Sequence, residues 1–171
     1  IYTTYVQILY RYGLRFTSDP EIIKDCIQEV FTSLYKNRNS LITPDNIKVY
    51  LFVSVKNCLI RTLYKESFYD RELPENIQFS LESTVEEDFI NNEQYANQQK
   101  MINEILALLT PRQKEIIYYR FIQELSMDEI CILMNLNYQS AQNLIQRSLK
   151  KVRQNYDSIE VFLLILAISL K

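Results

Sequence analysis

Gly13 is the only glycine in this 171-residue chain, and that scarcity constrains the fold more than any other feature of the sequence. Backbone loops that cradle phosphate need several positions without a Cβ, so GxGxxG and GxxxxGK loops are excluded. Tight hairpins need Asn-Gly or Asp-Gly dipeptides, and neither occurs. Four prolines complete the supply of turn formers, while 47% of the residues are apolar. A chain able to bury a core but short of hairpin turns is expected to be all-α.

The same inventory excludes most chemistry. There is no histidine, so no Ser-His-Asp triad, Cys-His pair or mixed His/Cys zinc site can form. Cys26, Cys58 and Cys131 lie far apart with no CxxC, which argues against a disulfide or zinc framework and for reduced thiols. No metal, no cofactor and no small-molecule substrate are expected, and the chain is not read as an enzyme. The first residues, IYTTYVQILYRYGLRF, carry no signal-peptide pattern, so a cytoplasmic setting is expected.

Charge divides the chain into three. Residues 67–100 hold eight acids (Asp70, Glu72, Glu75, Glu82, Glu86, Glu87, Asp88, Glu93) against Arg71 and Lys100. The flanking segments are mildly basic and apolar-periodic, so the overall charge of −2 hides an acidic joint between two modules. The expected domains are 1–66, a linker over 67–100, a second domain over 101–156 and an apolar tail over 157–171.

In the first module, Ile22, Ile23, Cys26, Ile27, Val30, Phe31, Leu34 and Tyr35 recur at three- and four-residue steps, a core-facing helical stripe. Ser18 and Asp19 before Pro20 supply its cap. A polar loop over 37–46 follows, then a helix from about Ile47 to Glu66. That helix is apolar on most faces except at Lys56, Asn57, Arg61 and Lys65.

In the second module, Thr110-Pro111-Arg112-Gln113 and Ser126-Met127-Asp128-Glu129 are two capping boxes, each opening a helix. The second of these helices is short and ends at the turn Asn135-Leu136-Asn137. A longer helix then runs from about Tyr138 to Arg153 and buries Ala141, Leu144, Ile145, Ser148, Leu149 and Val152. Short helix, tight turn and longer helix form a helix-turn-helix pattern. The outer face of the longer helix carries Gln139, Ser140, Gln142, Asn143, Gln146 and Arg147, groups that hydrogen-bond base edges in a major groove. Lys150 and Lys151 are placed to meet phosphates, and no acid occurs between Tyr138 and Tyr156.

The segment LLTPRQKEIIYYRFIQELSMDEICILMNLNYQSAQNLIQRSLKKVR resembles the fourth conserved domain of bacterial sigma factors. Asp25-Cys26-Ile27-Gln28-Glu29-Val30-Phe31 resembles the D-x-x-Q-E-x-F motif of their second domain. Tyr50 to Asn57, with Arg61 beyond, is similar to W-L-x-x-I-A-x-N-x-x-x-[DR], with Tyr50 in place of the usual Trp. Ala141 and Gln142 stand where the family often has Val and Lys. Two such domains with no third between them resemble the extracytoplasmic-function (ECF) group. The resemblance implies a sigma region 2-like bundle and a region 4-like helix-turn-helix in a subunit that gives core RNA polymerase its promoter specificity. It implies that Asp25, Gln28, Glu29 and Phe31 face the clamp helices of the polymerase largest subunit. Lys56, Asn57, Arg61 and Lys65 would meet the −10 element, with an unstacked base held by Asn57, Arg61 and the 37–46 loop. Gln139, Ser140, Gln142, Asn143, Gln146, Arg147, Lys150 and Lys151 would meet the −35 duplex. The polymerase flap and an anti-sigma factor are further implied partners.

Two rival readings stand beside it: a stand-alone helix-turn-helix regulator of LuxR type, and a helical adaptor docking through its tail. The tail itself, with VFLLILAISL at 161–170, spans about 15 Å as a helix and cannot cross a bilayer alone. It is expected to pack within the molecule, against a partner or at a membrane surface, the first being preferred.

Overall fold

The computed structural model describes residues 1–38, 46–70, 78–81, 100 and 102–155, with side chains of the second span described to residue 65. The apolar tail and most of the polar loop at 37–46 lie outside the described residues. The chain divides into two compact units, Ile1–Gln78 and Phe79–Lys171.

The first unit is a three-helix bundle of α1 (Tyr2–Gly13), α2 (Pro20–Lys36) and α3 (Ile47–Asp70). Asp19 caps α2, its carboxylate accepting from the backbone N–H of Glu21 at 2.8 Å and Ile22 at 3.3 Å. Asn46 caps α3 through its side-chain oxygen and the N–H of Val49 at 3.2 Å. The core is Leu9 and Tyr12 of α1, Ile23, Cys26, Ile27 and Val30 of α2, and Leu51, Phe52, Val55, Cys58 and Leu59 of α3. Tyr12 is fully buried, its ring 4.4 Å from Phe52 and 5.1 Å from Phe16 between centroids.

The lone glycine sits where α1 meets α2. A Cβ at Gly13 would lie 2.5 Å from Cγ2 of Ile23, which is itself fully buried. Gly13→Ala gains about 1 kcal/mol of helix propensity but overpacks a closed contact, which typically costs about 1–3 kcal/mol. The packing term wins, so the variant should melt at a lower temperature than wild type. An unchanged melting midpoint would show that Ile23 yields freely.

The second unit opens with a segment that sequence patterning assigned to the linker. Phe79 and Leu81 are 4% and 1% exposed. The Phe79 ring lies 5.4 Å from that of Tyr118 and 6.2 Å from that of Tyr119. The acidic joint is therefore pinned to the second unit at 79–81. Helix α4 follows over residues 102–107, then α5 (Pro111–Ile117), which continues into a π-helical turn over Tyr118–Ile122. Helices α6 (Met127–Met134) and α7 (Tyr138–Asn155) complete it. Both expected capping boxes are present, at Thr110/Gln113 and Ser126/Glu129. Phe→Ala changes at buried sites cost about 3–5 kcal/mol. Phe79→Ala should therefore lower the stability of the second unit measurably in denaturant, with the first unit unaffected.

Candidate polymerase and promoter interfaces

The helix-turn-helix is set by the turn between α6 and α7. Asn135 takes a left-handed backbone, φ 49°, a conformation that Asn tolerates better than most residues. Its flanking bonds, Leu136 N–H to the Cys131 carbonyl at 3.0 Å and Asn135 N–H to the Ile132 carbonyl at 3.4 Å, are those of a Schellman cap. Two residues later, Asn137 starts α7, its side-chain oxygen accepting from Ser140 N–H at 2.8 Å. The expected three-residue turn is thus an Asn C-cap followed by an Asn N-cap.

The inner face of α7 buries Ala141, Ser148 and Val152. The Ser148 hydroxyl donates to the Leu144 carbonyl at 2.7 Å, so this polar side chain is satisfied within its own helix. On the outer face Gln139, Gln142, Asn143, Gln146, Arg147 and Lys150 are exposed, and Ser140 is half-buried. Gln139 Nε2 donates to Asn143 Oδ1 at 3.1 Å, and Arg147 Nε donates to the Asn143 carbonyl at 3.3 Å. Arg147 lines an open groove together with Asn143, Gln146 and Lys150.

Lys151 is placed differently from Lys150. It is half-buried, and its ammonium donates to the Leu108 carbonyl at 3.0 Å, just beyond the end of α4. A cation on an orphan helix-end carbonyl is a structural cap.

In the first unit, Asp25, Gln28 and Glu29 are exposed and line one open depression on α2 with Thr32, Ser33, Lys36 and Asn37. Phe31 falls on another flank of α2. It is half-buried, its ring edge-on to Tyr2 of α1 at 4.9 Å, and it does not join that depression. On α3, Asn57, Arg61 and Lys65 are exposed at four-residue steps and Lys56 is half-buried.

Two residues expected to serve different partners meet directly. Arg61 Nη2 pairs with Glu29 Oε1 at 2.5 Å, and the Cys58 thiol donates to Glu29 Oε2 at 3.4 Å. The pair holds the Glu29 carboxyl below its usual range, first through the Arg61 hydrogen bond and then through Cys58, with Lys65 adding to the field. Burial, reinforced by Cys26 and Glu29, pushes the Cys58 thiol up to about 12. Through Arg61 the α3 stripe therefore borders the α2 depression. Glu29 and Arg61 are 32 residues apart, and no local pattern announces such a pair.

Residues 1–68 match the family described as sigma-70 region 2, and residues 99–152 match sigma-70 region 4. The chain belongs to the sigma-70 family. Region 2 followed by region 4 is the plan of the ECF group, and a factor of this kind directs promoter-specific transcription by RNA polymerase. The family is one of non-enzymatic subunits. A first unit accounted for by region 2 removes the need for the sensor domain that a LuxR-type regulator would carry. Among solved structures, the sigma factor RpoE in complex with the anti-sigma factor NepR from Bartonella quintana is similar in fold, with a TM-score of 0.62. The identity is 13%, over 90% of this chain and 92% of that one. Among curated proteins none matches. No helix among the described residues of this sigma factor is long and apolar enough to cross a membrane.

The ion pair carries a pH signature. A carboxylate whose folded pKa is depressed contributes stability above its unfolded value, and loses it as pH falls through the folded one. The melting-temperature gap between wild type and Arg61→Ala should therefore be constant near neutrality and begin to close below about pH 4.5, the ordinary carboxyl value. A gap independent of pH down to 3 would contradict the pairing.

Proposed function

We propose that this sigma factor reads its −35 element with the outer face of α7 and its −10 element with the exposed stripe of α3, while α2 docks on the polymerase. The observation that carries the reading is the face of α7. It is free of acids, lined by amides and a guanidinium, and partly ordered by the Gln139–Asn143 and Arg147–Asn143 hydrogen bonds. Amides hydrogen-bond adenine edges and guanidinium guanine edges in the major groove, and side chains already held in place lose less freedom on binding. Gln142 and Gln146 extend that set, Ser140 flanks it, and Lys150 supplies the phosphate contact. Lys151 is assigned instead to holding α7 against the end of α4.

On α2, the depression around Asp25, Gln28 and Glu29 supports a polymerase-clamp surface, with Phe31 positioning α2 against α1. On α3, Asn57 supplies base-edge recognition, while Arg61 and Lys65 supply charge toward the strand backbone. Lys56, half-buried beside this stripe, is its least accessible member. Unstacked bases need such polar edges on a rigid element. Region 4 would also meet the polymerase flap. An anti-sigma partner is proposed because the similar RpoE chain is held by one, and a cytoplasmic location follows from the proposed partners. The chain would do no chemistry of its own.

Substitutions on α7 separate the two kinds of contact. With holoenzyme, Arg147→Ala should cost about 1–3 kcal/mol at one base pair and relax preference there. Lys150→Ala should weaken all −35 sequences alike and reduce the salt slope by about one. Both are read by titrating holoenzyme on a library of −35 variants at several salt concentrations. Identical effects of the two changes across the library would overturn the assignment of α7 as reader.

A further inference from the structure

Gln139 and Asn143 stand one turn apart near the start of α7, the end at which the reading helix of a helix-turn-helix meets base edges. Both are exposed, yet they are tied together, Gln139 Nε2 donating to Asn143 Oδ1 at 3.1 Å. Arg147 is fastened to the same residue, its Nε donating to the Asn143 backbone carbonyl at 3.3 Å. An Asn side chain offers an oxygen with two lone pairs and a nitrogen with two N–H groups. The Gln139 bond occupies one lone pair of Oδ1, and among the described residues Nδ2 donates to nothing. What is left is an acceptor on Oδ1 beside the Nδ2 donor, the complement of adenine N6–H and N7 in a major groove. An amide held by nothing can present its two ends in either order, and the reversed order no longer matches that adenine. The Gln139 donor bonds only the oxygen and so fixes the order.

Resting on the assignment of α7 as the −35 reader, we infer that Asn143 reads one adenine of that element through both ends of its amide, with Gln139 as its positioning residue. Gln139 acts through Asn143, by setting which end of the amide is oxygen. Arg147 takes the guanine of a nearby base pair. Four residues of α-helix advance about 6 Å and stacked bases lie about 3.4 Å apart, so the two pairs are neighbours or one removed. The same chemistry predicts a switch. An aspartate at 143 still accepts from Gln139 but has no donor, so it selects the N4 amino group of cytosine instead of adenine.

The test uses holoenzyme carrying the full chain and duplex promoter fragments with the −35 region randomised, bound fragments being sequenced. Wild type should enrich an adenine at one position by about fivefold or more, the range of a two-bond base contact. Asn143→Ala should abolish that enrichment, and Asn143→Asp should move it to cytosine at the same position. Gln139→Glu, which keeps the shape but removes the donor, should reduce it several-fold and leave the Arg147-dependent position unchanged. In wild type, 7-deazaadenine at the selected position should weaken binding about as much as a base change, and in Asn143→Ala it should have no further effect. That arm separates contact with the base edge from readout of groove shape. Thermal melts check that each variant is folded. An adenine preference retained by Asn143→Asp, or insensitive to 7-deazaadenine, overturns the inference. A preference that Gln139→Glu leaves intact overturns the positioning role. If Arg147→Ala still relaxes a base pair in either case, α7 stands as the reader and this inference fails alone. If no substitution on α7 alters any −35 preference, the reader assignment fails and takes the inference with it.

Discussion

Five of the helix starts among the described residues are made by side chains, in a sequence that holds a single glycine. Asp19, Asn46, Thr110, Ser126 and Asn137 each present an oxygen to the first N–H groups of a helix. Among the described residues, the left-handed positions are Asn135 and Glu124, at φ 49° and 56°. For Glu124 the neighbouring chain supplies the support. Arg120 donates to the Leu125 carbonyl at 2.9 Å, and the Leu125 N–H bonds the Tyr119 carbonyl at 3.0 Å. Side-chain caps fix both the start and the direction of a helix. The turn from α6 into α7, and with it the direction of the proposed DNA-reading face, is capped by two asparagines.

The units are held by burial, and the polar contacts on their surfaces are left over for function. Each buried Leu, Ile, Val or Phe contributes about 1.5–3 kcal/mol, and α2 and α3 between them bury Ile23, Ile27, Val30, Leu51, Phe52, Val55 and Leu59. Against that, the Glu29–Arg61 pair adds little, yet it lies where the proposed polymerase and promoter surfaces adjoin. Cys58 lies beneath it as a neutral thiol, a hydrogen-bond donor to the carboxylate rather than a nucleophile. The Tyr119–Glu115 bond, 2.9 Å and buried, is of the opposite kind. It ties a buried carboxylate to a neighbouring turn of the same helical segment inside the second unit.

Most of this was legible where the signal is local. Thr110 and Ser126 with Gln and Glu three residues on, and Asp19 before Pro20, are cap chemistry that sequence spacing states outright, and each is observed. The exposed amides of α7 were legible because a 3.6-residue period places them opposite Ala141, Ser148 and Val152. What sequence did not reveal depends on partners far along the chain. Phe79 and Leu81 alternate at two residues within an acidic stretch, a pattern too short to separate a packed extended segment from a linker. Lys151 shares the helical face-edge of a phosphate contact but bonds a carbonyl 43 residues away. Phe31 fits a surface motif and a core stripe equally, and its ring contact with Tyr2 lies too far along the chain for the sequence to show. The π-helical turn at Tyr118–Ile122 has no residue signature of its own.

The central claim is that this chain, as a sigma factor, gives core RNA polymerase its start sites. It is tested most directly by in vitro transcription of fragmented genomic DNA with core polymerase, with and without the full chain, and sequencing of the 5′ ends. The account expects a discrete set of starts that appear only with the chain and share sequence elements near −10 and −35. An unchanged distribution of starts, with the chain shown to be folded, would contradict it.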